Sequence, residues 1–259
     1  MAEVPLLLYG ATGRMGRAVR ECIPEFPELR LRACVAPRKP TAAGASGGTS
    51  WLTPDELSKD ASRSGLPDDL VILDFSLAAG TARLVEILSE WPHALVAATT
   101  GLDAATESRL TALATRAPVL RAPNLSLGIA VAQALLRALP PAARGVFQAE
   151  IVEHHHGTKK DAPSGTAKAL AALLRGPAEG GGAGRPAGGE ILIHSIRGGT
   201  VPGTHRVVLS GAGETLEIVH TVYDRSVFAR GALRAARFLH RRGPGSYTID
   251  DVLREGAHE

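Results

Sequence analysis

Through its first 125 residues the chain alternates short apolar runs with stretches of helical periodicity, and that alternation leaves few folds open. Val4 to Tyr9, Leu29 to Val35, Leu70 to Phe75, Ala94 to Ala98 and Val119 to Arg121 read as strands. Runs such as Leu-Val-Ile-Leu-Asp-Phe do not alternate polar with apolar residues, so they fit strands buried on both faces of a parallel sheet. Between them, helical patterns span about Arg14 to Pro24, Thr81 to Trp91, and Asp103 (a cap) to about Arg116. Thr53-Pro54-Asp55-Glu56 is a capping box with proline at the first helical position, so a short helix starts there. The expected class is α/β, built on a doubly wound parallel sheet.

After Asn124 the character changes. Leu127 to Leu139 reads as an apolar helix stopped by Pro140-Pro141. Val146 to His154, Glu190 to Arg197, His205 to Leu209 and Thr215 to Val222 are strand-like, with one helix after Ser164. These segments predict a smaller α+β domain with an open mixed or antiparallel sheet. Ala229 to His240 returns to a helix, on which Arg230, Arg234, Arg237 and Arg241 form a stripe that reads as a solvated face. The expected division is 1–125 for the first domain, completed by about 235–259, with 126–234 as the second. Pro37 to Ser50 reads as a loop, and so does Gly176 to Gly189, which holds seven glycines in fourteen residues.

Composition then removes several function classes. Apolar residues make up 44% and charged residues 21% of 259, as in an ordinary globular chain. No apolar run approaches the ~20 residues that span a bilayer. Leu6 to Tyr9 is too short for a secretory core and has no basic stretch before it. Two cysteines, Cys22 and Cys34, exclude a disulfide scaffold and a cysteine-rich metal site. Aromatics are 4%, too few for a base-stacking platform, and the net charge of +3 is thinly spread. The chain therefore reads as a cytoplasmic enzyme for small anionic molecules, with neither nucleic acid nor membrane as partner.

Four stretches carry chemistry. Gly10-Ala11-Thr12-Gly13-Arg14-Met15-Gly16 joins a strand to a helix, and its glycines allow a tight turn and close approach of a pyrophosphate to helix N-terminal amides. An ordinary tight turn is the alternative. The second strand ends in Val35-Ala36-Pro37-Arg38-Lys39, with no acid for the adenosine ribose and two cations. This leans toward NADPH over NADH, against the alternative of a solvated basic loop. Asp74-Phe75-Ser76 and Ala98-Thr99-Thr100-Gly101 each follow a buried strand at its carboxyl end, where doubly wound sheets bind ligands.

The densest stretch is Glu150 to Thr166, with three histidines, two lysines, acids including Asp161 and a Ser-Gly-Thr turn. Histidine can donate a proton near neutral pH, and a nearby lysine can hold a carboxylate. Ser164-Gly165-Thr166 precedes a helix, so it forms an anion nest suited to a substrate carboxylate. A zinc site built from His154, His155 and His156 is disfavoured, because neighbouring residues on a strand point to opposite faces. No metal is expected.

Glu153 to Ala167 (EHHHGTKKDAPSGTA) matches the signature E-x-H-H-x-x-K-x-D-A-P-S-G-T-A, and on it the chain resembles the 4-hydroxy-tetrahydrodipicolinate (dihydrodipicolinate) reductase family. The Gly10 to Gly16 turn, Asp74-Phe75-Ser76, Ala98 to Gly101, Ala122-Pro123-Asn124, His194 to Arg197 and Ser226 to Leu233 extend the likeness over the whole chain. The resemblance implies NAD(P)H-dependent reduction of a cyclic imine dicarboxylate in diaminopimelate and lysine biosynthesis, with hydride to ring C4 and a proton from a histidine. It implies His155 as proton donor and Lys159 as a second donor, with His156, Ser164, Gly165 and Thr166 holding substrate. His154 receives no role. The cofactor would lie along Gly10 to Gly16, Arg38, Ala98, Thr99, Thr100 and the run Ala122-Pro123-Asn124-Leu125. A Rossmann domain, a substrate domain and a homotetramer joined through substrate-domain sheets complete the implication. Three positions depart from the family pattern: Ala36 replaces its acid, Ala98 its glycine and Leu125 its aromatic. Rival readings are a nicotinamide-sensing protein without turnover, a metal-dependent hydrolase, and a dehydrogenase of another small dicarboxylate such as aspartate or homoserine dehydrogenase.

Overall fold

A computed structural model describes residues 3–40, 49–175 and 190–255. The Gly176 to Gly189 stretch and most of the expected Pro37 to Ser50 loop lie outside the described residues. The chain forms two compact units, Met1–Leu125 with Ser226–Glu259, and Ser126–Arg225.

The first unit runs β1 (Val4–Tyr9), α1 (Arg14–Cys22), a 3-10 turn at Ile23–Glu25, β2 (Leu29–Val35), β3 (Ser50–Leu52), α2 (Pro54–Leu57), α3 (Asp60–Arg63), β4 (Val71–Asp74), α4 (Ala78–Glu90), β5 (Ala94–Ala97), α5 (Ala104–Ala114) and β6 (Pro118–Arg121). The second holds α6 (Leu127–Arg137), α7 (Pro141–Val146), β7 (Gln148–His155), α8 (Gly165–Arg175), β8 (Leu192–Arg197), β9 (Gly203–Gly211) and β10 (Glu214–Val222). The chain then returns with α9 (Ser226–Leu239), β11 (Gly245–Tyr247) and α10 (Ile249–Glu255).

The seven-stranded sheet has the order β3-β2-β1-β4-β5-β6-β11, with every neighbouring pair parallel. This is the expected doubly wound, Rossmann-like sheet. The sequence order reverses between β1 and β4, so the carboxyl ends of all strands share one edge around a switch point. Helices cover both faces, which is why Leu6, Leu7, Leu8, Val71, Ile72 and Leu73 are all fully buried. Thr53 caps α2 in the full capping-box arrangement, and the Asp103 carboxylate accepts from the Thr106 amide at the start of α5.

The chain re-enters the first unit at Ser226 rather than at about 235. The reason is α9, whose Ala229, Ala232, Leu233, Ala235 and Ala236 are buried against β4 and β5. Its arginine stripe is not simply solvated. Arg230 pairs with Glu25 at 2.7 Å, Arg237 with Glu28 at 3.5 Å, and Arg234 lies over the Phe26 ring. Sequence periodicity also missed β3, α3, α7, β11 and α10, because elements of three to seven residues complete too few periods to register.

The second unit has a four-stranded sheet, β10-β9-β7-β8, in which β7 and β8 are parallel and the other pairs antiparallel. One face packs Ile151, Val207 and Leu209 against Leu136 of α6 and Leu170 and Leu174 of α8. The other face carries Leu192, Ile196 and Val219, all exposed. No helix among the described residues is long and apolar enough to cross a membrane.

Gly231 lets α9 close on the end of the preceding segment: a Cβ there would overlap the Leu125 carbonyl. Gly231→Ala is expected to cost about 1–3 kcal/mol, the usual penalty for overpacking. A thermal midpoint equal to that of the wild type would show that the carbonyl yields.

Candidate active site

At the sheet's carboxyl edge, the backbone amides of Gly10 and Ala11 both donate to the Val35 carbonyl, tying the turn after β1 to the end of β2. Gly10 has φ +83°, and a Cβ on it would lie 2.7 Å from the Phe75 carbonyl oxygen. A Cβ on Gly16 would collide with the Gly10 carbonyl and lie 2.7 Å from Ala11 Cα. These two glycines let turn, helix and β4 loop meet. Gly13 differs: it is exposed at the N-cap of α1, has no side-chain cap, and no acid occupies the first helical turn. Together with exposed Arg14 and half-buried Thr12 and Met15, it leaves the positive end of the helix open to an anion.

Two of the expected stretches converge on Asp74. Its buried carboxylate accepts from the Ser76 amide (2.9 Å), the Ser76 hydroxyl (2.6 Å), the Thr81 hydroxyl and the Thr99 hydroxyl (3.2 Å). Thr99 therefore has its side chain turned inward, whereas Thr100 is exposed. Ala98 donates its amide to the Asp74 carbonyl, and Ala122 donates to the Ala97 carbonyl. Arg121, paired with Glu107, donates to the carbonyls of Ala97 and Thr99. Pro123 is exposed, Asn124 half-buried and Leu125 buried at the end of that run. Of the two cations after β2, Lys39 pairs with Glu56 at 2.6 Å, while Arg38 is exposed.

In the second unit the cluster is built on β7. Glu153 and His155 lie two residues apart, so both face the core, while His154 faces away and donates to the Gly198 carbonyl. Glu153 is fully buried. Its Oε1 accepts from the Ser164 amide (3.0 Å), the Ser195 hydroxyl (2.7 Å) and Arg197 Nη2 (2.7 Å). Its Oε2 lies 3.5 Å from His155 Nδ1 and 3.8 Å from His205 Nε2. Burial pushes the Glu153 carboxyl up, but those hydrogen bonds together outweigh it and hold it at about 2.

Burial likewise lowers His155, and Lys159 and Arg197 add to that, while Glu153 pulls the other way. His205 is drawn down to about 4, mainly by burial and then by His155, whose ring it meets edge-on at 5.1 Å. Lys159 pairs with Asp161 at 2.7 Å, and His156 Nδ1 is 2.7 Å from the Thr158 hydroxyl. Glu153, His155 and His205 each offer a metal-ligand atom within 4.8 Å of the others. Here the positive charge facing the carboxylate comes from Arg197.

The expected anion nest is occupied in part by the protein itself. The Ser164 amide is taken by Glu153, and its hydroxyl accepts from the Ala167 amide and lies 3.3 Å from His205 Nε2. Ser164 is thus the cap of α8. Gly165, exposed, and Thr166 form the first turn beside it. Sequence reasoning assigned no role to Glu153, His205, Ser195 or Arg197. A signal existed for two of them: Glu153 and His205 sit at core positions of alternating strands, in register opposite one another, where an apolar residue is the default.

Two family models cover nearly the whole chain: dihydrodipicolinate reductase, N-terminus, over residues 4–125, and its C-terminus, over 128–253. A 4-hydroxy-tetrahydrodipicolinate reductase of Stenotrophomonas maltophilia is 40% identical over 256 residues, covering 98% of this chain and 100% of that one. One from Rubrobacter xylanophilus is 39% identical over 265 residues, covering 96% and 98%. Among solved structures, dipicolinate-bound dihydrodipicolinate reductase from Paenisporosarcina sp. TG-14 superposes with TM-score 0.74 at 22% identity, covering 95% and 97% of the two chains. A probable dehydrogenase from Thermotoga maritima gives 0.63 at 10% identity, a likeness of fold.

Because the Glu153 carboxyl sits at about 2 in the fold against an ordinary 4.5, its stabilisation is complete above about pH 4.5 and is lost as pH falls toward 2. Between about pH 6 and about pH 3 the wild type is therefore expected to lose more stability than Glu153→Gln, whose side chain does not titrate. Equal losses in urea unfolding at the two pH values would contradict the assignment.

Proposed function

The chain belongs to the dihydrodipicolinate reductase family, and from that premise we propose that it reduces 4-hydroxy-tetrahydrodipicolinate to tetrahydrodipicolinate, with His155 as the proton donor. The observation that carries this reading is the folding of Glu153 to Thr166, which gathers His155 and the first turn of α8 around one buried carboxylate and brings the charge of Lys159 to bear on His155. The first unit is the cofactor domain and the second the substrate domain.

The open N-terminus of α1 at Gly13, and the close packing that Gly10 and Gly16 permit, fit a dinucleotide pyrophosphate. When bound, a nicotinamide cofactor supplies the hydride that reaches ring C4. Thr100, Ala98 and the run from Ala122 to Leu125 would lie along it. NADPH is favoured over NADH: the position that would carry an acid for the ribose is buried Ala36, and Arg38 is exposed beside it for a 2′-phosphate.

The substrate carries two carboxylates. Gly165 and Thr166 at the N-terminus of α8, with His156 and Lys159 nearby, are suited to one of them. Ser164 contributes by holding that turn in place. His155 delivers its proton to the ring carbon made electron-rich by hydride addition, and Lys159 keeps positive charge beside it. The exposed Leu192, Ile196 and Val219 on the free face of the sheet support a homotetramer joined through that face. Cys22 and Cys34 are both buried thiols, which agrees with a cytoplasmic enzyme.

The test is a coupled assay in which a synthase makes the unstable substrate in situ from pyruvate and aspartate semialdehyde, with oxidation of NADPH and NADH followed separately. His155→Gln is expected to lower kcat by about 10²–10⁴ with little change in KM, and Lys159→Ala to impair both. Undiminished turnover by His155→Gln would end the proton-donor assignment. Arg38→Ala should reduce kcat/KM for NADPH by about tenfold, ~1.4 kcal/mol, and leave NADH unaffected. Val219→Lys is expected to convert the tetramer to smaller species in sedimentation. A wild-type monomer would remove the assembly proposal.

A further inference from the structure

We infer that Glu153 is a positioning residue for His155: its buried Oε2 holds the imidazole with a proton on Nδ1, so that Nε2 is the nitrogen that exchanges a proton with substrate. This rests on His155 as the proton donor and specifies how that group is set.

The two oxygens of Glu153 have different surroundings. Oε1 takes three donors, from Ser164, Ser195 and Arg197, which fix the carboxylate's plane. Oε2 is buried and has no hydrogen-bond partner, and the same holds for His155 Nδ1. The two face each other at 3.5 Å. A buried carboxylate oxygen can only accept, so the imidazole atom facing it is stabilised as N–H. Nε2 lies on the other side of the ring, beside Gly203. A Cβ built on Gly203 would be 3.1 Å from Nε2, so the missing side chain keeps space open next to the atom that must transfer a proton.

Titratable groups face the pair from several elements. Lys159 and Asp161, on the segment after β7, oppose each other as an ion pair, and Arg197 comes from β8. His205 comes from β9, with His220 of β10 in register opposite it. His205 is held neutral at ordinary pH by burial, so it supports the carboxylate without competing for its charge. Glu153 is thus the one buried anion facing His155 among the described residues. Charge balances through the step. The imidazolium Nε2–H bond breaks as the ring C–H bond of the substrate forms, and the neutral imidazole left behind keeps its Nδ1 proton toward Glu153. Solvent then restores the Nε2 proton.

Two measurements test this. In the first, nitrogen NMR of the wild-type protein, with the His155 signals identified by their loss in His155→Gln, reads the tautomer of the neutral ring. Nδ1–H is expected; Nε2–H would overturn the inference without recourse to any Glu153 variant or to activity. In the second, kcat is followed against pH. Removing the negative charge makes the imidazolium easier to deprotonate, so in Glu153→Gln the limb on which activity falls with rising pH should move to lower pH by about one unit or more. The maximal kcat should drop about tenfold or more. KM for the cofactor should not change, and Glu153→Asp should restore part of the lost kcat and of the limb. A folded Glu153→Gln protein with an unmoved limb would reduce Glu153 to a structural anchor and overturn the inference. Loss of the proton-donor reading has a different signature, full turnover by His155→Gln, which leaves the tautomer result standing.

Discussion

An ionised carboxylate without solvent exposure must be met by donors from the protein, or burying it costs several kcal/mol. In the second unit Glu153 is met by donors from two directions at once: the loop entering α8 supplies Ser164, and β8 supplies Ser195 and Arg197. Ser164 cannot give up its amide without freeing the buried charge, and its hydroxyl caps α8 and reaches His205. The start of α8, Ser195 and Arg197 of β8 and the core face of β7 therefore hold one arrangement together. The groups assigned to chemistry inherit that rigidity.

The first unit solves a related problem with Asp74. That carboxylate is buried at the end of a central strand and collects hydroxyl and amide donors from Ser76, Thr81 and Thr99. Two loops on the same sheet edge are thereby fixed before any ligand arrives, which lowers the entropy lost when one binds. The two acids differ in what meets them. Asp74 has only neutral donors, which suits a holder of loops. Glu153 faces a guanidinium and two imidazoles, which suits a group that acts on protonation states.

The sheet was legible in the sequence because its strands are apolar on both faces. Leu6-Leu7-Leu8 and Val71-Ile72-Leu73 leave no amphipathic alternative. The Glu153 to Thr166 run was legible for a different reason, as a density of titratable groups that packing alone does not call for. What escaped were partners brought in from distant segments. Arg197 and His205 reach Glu153 through strand register, β7 lying between β8 and β9, and no local pattern encodes which strand will be a neighbour. Ser164 shows the opposite limit. Its spacing before a helix reads as an open nest, but the amide has a buried carboxylate as its partner, and that partner is set by tertiary structure. The Arg230 to Arg241 stripe looks solvated in the sequence for the same reason, since the 3-10 turn and Glu28 that meet it lie some two hundred positions away.

The helix α9 has a bearing on how the chain is made. Its alanines are buried against β4 and β5, which are synthesised long before it. During translation those strands emerge with one part of their surface uncovered, and it stays uncovered until the segment beginning at Ser226 has left the ribosome. The intervening residues, Ser126–Arg225, form a unit continuous in sequence, and all of it is synthesised before that segment. The chain of the second unit is thus complete before the first has its last wall, although the first is begun earlier.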